Sequence, residues 1–169
     1  MDDLMAWSIA PLANDSDARA CARLMASSEP WVTLGRTYEA SLVIILDPSR
    51  EVHLLRDDTV LGGFLILCMT GAFVGYIQTI CIHPDQRGQG LGSKLVAFAE
   101  QRILAQFPNV FMCVSSFNQD ARRLYERLGY TVVGELTDYI VQGHSEILLR
   151  KTLGPLTTFV PTRAVGSRS

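Results

Sequence analysis

Apolar residues recur at helical spacing in some stretches of this chain and run in short blocks in others, and the alternation between the two rhythms divides it into elements. Trp7 to Pro11 reads as a short strand. Ala18, Cys21, Ala22, Leu24 and Met25 then share one face of a helix, with Asn14 to Asp17 ahead of them as capping side chains. Ser27-Ser28-Glu29-Pro30 breaks that helix, and Trp31 to Ser41 reads as a second short one. After turn residues at Asp47 to Arg50, strands are predicted over Glu51 to Arg56, Val60 to Met69 and Ala72 to Ile82. Their short separations suit antiparallel hairpins, and Gly62-Gly63 inside the second predicts a bulge or a close backbone approach.

Leu91, Leu95, Val96, Ala99, Ile103 and Phe107 keep a 3.6-residue period through a long helix that Pro108 ends. Val110 to Val114 is apolar without alternation, the pattern of a strand covered on both faces. Asn118 is placed to cap a further helix that packs Ala121, Leu124, Tyr125 and Leu128 and stops at Gly129. Strands over Thr131 to Glu135 and Glu146 to Lys151 close the pattern, bracketing an irregular connection with Tyr139 and His144. The order is β-α-α-β-β-β-α-β-α-β-β, without internal repeats.

Composition narrows the class. With 169 residues, 48% of them apolar and 19% charged, the chain is expected to form one globular domain over residues 1–153, followed by a polar, flexible tail over 154–169. A formal net charge of −2 argues against a general nucleic-acid binder. The start, Met-Asp-Asp-Leu-Met, lacks the features of a secretory signal, and Phe64 to Met69 is too short to span a membrane, so a cytoplasmic location is expected. Cys21, Cys68, Cys81 and Cys113 are scattered among apolar neighbours with no Cys-x-x-Cys; reduced core thiols and no metal site are the expectation.

The chemistry concentrates in Ile80 to Leu95, where an apolar strand meets Pro84 and then glycines at 88, 90 and 92 opening into a helix. Glycines spaced by two let successive backbone N–H groups converge on one point, and the helix N-terminus adds its own N–H groups and positive dipole end. Beside Arg87 this reads as a cradle for a pyrophosphate. The spacing differs from the Gly-x-Gly-x-x-Gly of a dinucleotide fold, and Ser93-Lys94 reverses the order that a P-loop requires. A merely structural turn accounts for one or two of these glycines, not for three in five residues.

Arg87-Gly88-Gln89-Gly90-Leu91-Gly92 after His83-Pro84 resembles the acetyl-CoA-binding signature of the GNAT superfamily of N-acetyltransferases. A second motif similar to that family's follows in Asn118-Gln119-Asp120-Ala121-Arg122-Arg123-Leu124-Tyr125-Glu126-Arg127-Leu128-Gly129-Tyr130. The resemblance covers roughly residues 5 to 151. It implies the family's mixed α/β fold, a mostly antiparallel sheet flanked by helices, and an acetyl-CoA-dependent transfer to a primary amine by direct attack. It further implies that backbone groups of Ile80, Cys81 and Ile82 hold the pantetheine arm as a strand would. Arg87, Gly88, Gln89, Gly90, Leu91, Gly92 and Ser93 would then take the pyrophosphate, and Asn118 would contact the cofactor.

In such a protein Tyr125 matches the general acid that protonates the departing thiolate, a phenol near 10 facing a thiol near 8.5. The first helix pair overhangs the acceptor, which makes Trp31, Arg36, Tyr38 and Glu39, with Tyr139 from the late connection, candidates for contacting it. The base departs from the family pattern: Gln78 and Cys113 stand where relatives carry glutamates. His144 is the next candidate, with Glu146, Glu39 and Asp138 behind it and a water relay as a competitor. A peptide N-terminus and a small-molecule amine both remain open as acceptor, and so does a homodimer. The alternative function is a non-catalytic acyl-CoA-binding sensor or regulatory module.

Overall fold

The structure is a computed structural model that describes residues 6–58 and 60–162. Its strands are β1 (Ser8–Pro11), β2 (Arg50–Asp57), β3 (Val60–Cys68), β4 (Tyr76–Ile82), β5 (Asn109–Ser115), β6 (Thr131–Leu136) and β7 (Glu146–Thr152). They form one sheet in the order β1-β2-β3-β4-β5-β7-β6, antiparallel throughout except for the parallel β4–β5 pair. The helices are α1 (Asp15–Ala26), α2 (Tyr38–Ile45), α3 (Leu91–Leu104) and α4 (Gln119–Arg127), so the element order is the one the sequence pattern predicts.

The sheet separates two cores, and β3 explains why its sequence is apolar without a break. Phe64 and Ile66 point to the face covered by α1 and α2, where they meet Ala18, Cys21, Ala22 and Met25. Leu65 and Leu67 point to the opposite face, against Leu95, Ala99 and Ile103 of α3. Both faces of a central strand are dry, so period-two alternation disappears from its sequence. In β5 the burial does alternate at Phe111 and Cys113, which are half-buried. Cys113 lies on the wall of a cavity rather than in a core.

Three of the expected boundaries shift. The second helix begins at Tyr38 rather than Trp31, because Gly35 adopts a left-handed φ of +68° and the Thr37 hydroxyl starts a new helix by accepting the Ala40 N–H at 3.2 Å. Residues 29–36 instead form a turn in which the Arg36 N–H donates to the Trp31 carbonyl at 2.9 Å. The strand expected from Ala72 begins only at Tyr76, after a left-handed Gly75. Of the expected tail, Thr162 donates its N–H to the Ala105 carbonyl at 3.0 Å, while residues 163–169, like residues 1–5, lie outside the described residues.

Gly62 and Gly63 serve both purposes that the sequence suggested. The β2–β3 register slips there, with Leu55 opposite Gly63 and Arg56 opposite Leu61, so Gly62 is the extra residue of a bulge. A Cβ added at Gly63 would run into the Cys81 carbonyl oxygen and come within 2.9 Å of the Ile82 side chain. Gly63→Ala is therefore expected to destabilise the fold by about 1–3 kcal/mol, read as a lower urea midpoint with an unchanged slope. An unchanged midpoint would mean that β4 can give way at this position.

Candidate active site

The site begins where the sheet comes apart. β4 and β5 pair only at Tyr76 with Phe111 and Ile77 with Met112; beyond these, β4 runs on to Ile82 and β5 to Ser115 without pairing to each other. A second bulge falls at this point, because Leu67 lies opposite Ile77 and Ile66 opposite Thr79, leaving Gln78 as the extra residue. The far side of β4 is occupied by β3, so the backbone groups of Gln78 to Ile82 on the near side face an open wedge.

At the far end of that wedge the chain turns through a single 3-10 turn at Pro84–Gln86, and the Arg87 Nε approaches the Ile82 carbonyl at 3.5 Å. Gly88 and Gly90 follow with φ of +77° and +76°, and the space a Cβ would take at either is open. Gly90 is also the N-cap of α3. Asn14, Thr37 and Asn118 each cap their helix with a side chain, whereas nothing from a side chain satisfies the first N–H groups of α3. Those donors and the positive end of the helix dipole line a cleft of about 700 Å³ with Ile80, Cys81, Ile82, Arg87 and Ser93. The residues suit a pyrophosphate with an extended arm along β4. Of the expected cradle residues, Gln89 alone stays off the cleft; its amide donates to Gln86 at 3.0 Å.

A second cavity of about 460 Å³ opens on the other side of the wedge. Its walls are Tyr76 and Gln78 from β4, Cys113 and Ser115 from β5, Glu146 from β7, Trp31 and Arg36 from the turn before α2, and Tyr139 from the β6–β7 connection. The two spaces share Pro30, Trp31, Ile80, Asn118, Ala121 and Tyr125. Tyr125 thus stands at their junction. Its phenol is pushed up to about 12 by burial alone, with no hydrogen bond contributing, so the neutral form is favoured. Asn118 uses its Oδ1 to cap α4, accepting the Ala121 N–H at 3.3 Å, and faces both spaces.

The carboxylate that reaches the second cavity is Glu146. It is 4% exposed, and its Oε1 accepts the Ser115 hydroxyl at 2.6 Å. Burial raises its pKa above the ordinary 4.5, while the Ser115 hydrogen bond and nearby His144 oppose the rise. His144 itself lies off the cavity, its ring edge-on to Phe117 at 5.2 Å. Tyr38 packs into the α1–α2 core and Glu39 is exposed on α2, so neither lines the cavity; Trp31 and Tyr139 do. At the two positions where a glutamate was expected, Gln78 accepts the Cys68 thiol at 3.4 Å, and the Cys113 thiol is pushed up by burial. Tyr76, absent from the sequence reading, reaches the cavity beside Cys113 and is likewise raised by burial. Its only sequence signal is its place at the start of β4, and that carries no meaning until the splay is seen.

Among the described residues no group of three or more His, Cys, Asp or Glu side chains is placed to hold a metal ion, and no helix is long and apolar enough to cross a membrane.

A splayed strand pair with an uncapped, glycine-flanked helix on one side and a second cavity on the other is the architecture of the GNAT class of α/β proteins. The chain belongs to the Acetyltransferase (GNAT) family, whose profile matches residues 17–130. It is similar to the blasticidin-S acetyltransferase of Streptomyces morookaense, with 31% identity over 90 residues that make up 49% of this chain and 66% of that relative, just under two thirds of its length. Among solved structures, a GNAT-family acetyltransferase structure from Desulfovibrio desulfuricans superposes with a TM-score of 0.73 at 20% identity, covering 88% of this chain and 100% of the other. An aminoglycoside 6'-N-acetyltransferase complexed with coenzyme A gives a TM-score of 0.70 at 16% identity, over 88% of this chain and 98% of the other.

Proposed function

We propose that the protein is an acetyl-CoA-dependent N-acetyltransferase that delivers an acetyl group to a primary amine by direct attack. The observation that carries this reading is the meeting of two cavities at Tyr125, one shaped for a phosphate-bearing arm and one for an acceptor. The α3 N-terminus, Gly88, Gly90 and Arg87 would hold the pyrophosphate, and the free edge of β4 from Ile80 to Ile82 would hold the arm. Acetyl-CoA supplies the activated acyl group when bound.

The chain's own residues do the rest. Beyond the bulge at Gln78, β4 has no strand partner on the side of the wedge, so one of its backbone N–H groups can donate to the carbonyl oxygen as negative charge grows on it. Glu146 takes a proton from the acceptor ammonium or from the attacking nitrogen; the carboxylate form is needed for this, and Ser115 holds it in place. As the new C–N bond forms and the C–S bond breaks, Tyr125 gives its proton to the sulfur and regains one from the site. Trp31, from the turn before α2, lines both cavities and adds an apolar wall at their junction.

At about 100 times its Kd, acetyl-CoA is expected to add roughly 2.7 kcal/mol to native stability, a rise in Tm of about 5–10 °C for a chain of this size. Thermal unfolding with and without the cofactor reads this directly. No shift at saturation would sink the reading. A shift with no turnover on any amine would instead select the non-catalytic acyl-CoA-binding module, which the glutamine and cysteine at the expected base positions favour.

A further inference from the structure

The acceptor cavity carries charge of both signs, and one of them has nothing to pair with. Among the described residues its ionised lining side chains are Arg36 and Glu146. Glu146 is satisfied by Ser115, whereas the buried Nε of Arg36 has no hydrogen-bond partner. No carboxylate among the described residues lies within ion-pair distance of Arg36, whereas Arg56 and Arg102, also part-buried, each have one. Burial pulls the guanidinium below its usual range, a direction that reflects the cost of holding it there unpaired.

Arg36 is not there by slack in the chain. The left-handed Gly35 and the hydrogen bond from its own N–H to Trp31 fix its backbone, and Thr37 immediately begins α2. A guanidinium held in a cavity wall offers a planar fork of N–H donors that matches a carboxylate in two parallel hydrogen bonds. The same positive charge repels a second ammonium. The same wall carries the aromatic side chains of Trp31, Tyr76 and Tyr139.

Resting on the acetyltransferase reading, we propose that the acceptor is an amino-carboxylate: its carboxylate pairs with Arg36 while its amine is presented to the junction near Tyr125. Polyamines and other polycations are the class this cavity disfavours. Arg36 is then a specificity-determining residue that takes no part in the bond changes.

The test is steady-state kinetics on the full chain with acetyl-CoA and a panel of α-amino acids, ω-amino acids and dipeptides. Each is run beside its carboxamide, with diamines of matching length as a third arm. The expected result is that the best acid exceeds its own amide by at least about tenfold in kcat/KM, a gap worth about 1.4 kcal/mol. Arg36→Gln should raise KM for the acid at least tenfold with little change in kcat, and leave the amide within about threefold. A purely structural Arg36 would move acid and amide together. Equal use of acid and amide, preference for diamines, or no acetylation of any amino-carboxylate by protein that still shows the acetyl-CoA thermal shift would each overturn the proposal. Loss of that thermal shift would instead count against the acetyltransferase reading beneath it.

Discussion

Replacing Tyr125 by phenylalanine is expected to lower kcat by about 10²- to 10⁴-fold while leaving the acetyl-CoA thermal shift intact. The separation follows from its position: Tyr125 lines both cavities, whereas the proposed phosphate cradle is built from α3, Arg87 and the glycines. Stability should barely change, because no hydrogen bond of the phenol is lost and the ring still packs against Tyr130 at a centroid distance of 6.2 Å. A pKa pushed up to about 12 favours the neutral phenol, so the donor stays loaded through any ordinary assay pH. Any alkaline loss of activity below pH ~10 therefore belongs to another group. Wild-type turnover in the phenylalanine variant would remove Tyr125 from the proton path and leave protonation of the thiolate to solvent.

Glu146→Gln is the second large effect, expected at about 10²-fold in kcat/KM near neutral pH. The pH profile makes the assignment specific. Burial raises this carboxyl, so the form able to accept a proton appears at higher pH than for an ordinary glutamate, and wild-type kcat/KM should climb as pH rises through that raised value. The variant should lose this limb and keep only the slope due to the acceptor amine itself. The stability sign runs the other way. A native carboxyl that holds its proton more tightly than the unfolded one contributes stability that is full below the ordinary 4.5 and fades as pH rises through the folded value. Glutamine can still accept the Ser115 hydroxyl, so the variant should be as stable as the parent at pH 7, or more so. A less active protein that is no less stable is the signature of a carboxylate kept for function. If activity and limb both survive, deprotonation is the work of water along the β4 and β5 edges.

The glycine turn into α3 was legible because its physics is local. Pro84 beyond a strand end, followed by Gly88 and Gly90, dictates left-handed turns and an uncapped helix within a dozen residues, with Gly92 already inside α3, and no distant contact is needed to predict where the N–H groups gather. The helix faces of α1, α3 and α4 were legible for the same reason, as was the bulge at Gly62. The second helix was misplaced because Trp31 to Ser41 has enough apolar residues to read as helix, while the decision lies with the φ of Gly35 and the cap at Thr37.

The acceptor side depended on residues far apart in the chain. Arg36 precedes α2, Tyr76 opens β4, Cys113 lies in β5, and Glu146 opens β7; they share a cavity only because β4 and β5 part after Ile77 and Met112. His144, two residues from Glu146, looked the better base on its intrinsic pKa. In strand geometry side chains two apart share a face, but Glu146 is the first residue of β7 and His144 belongs to the loop before it, so pleat and register hold only the glutamate in the cavity wall. By itself, then, the sequence determined the order of elements, the apolar helix faces and the glycine turn into α3, all set by spacing along a few turns of chain. The tertiary structure alone decided which carboxylate lines the second cavity and that an unpaired arginine stands in its wall, because burial and pairing are properties of what the fold brings alongside.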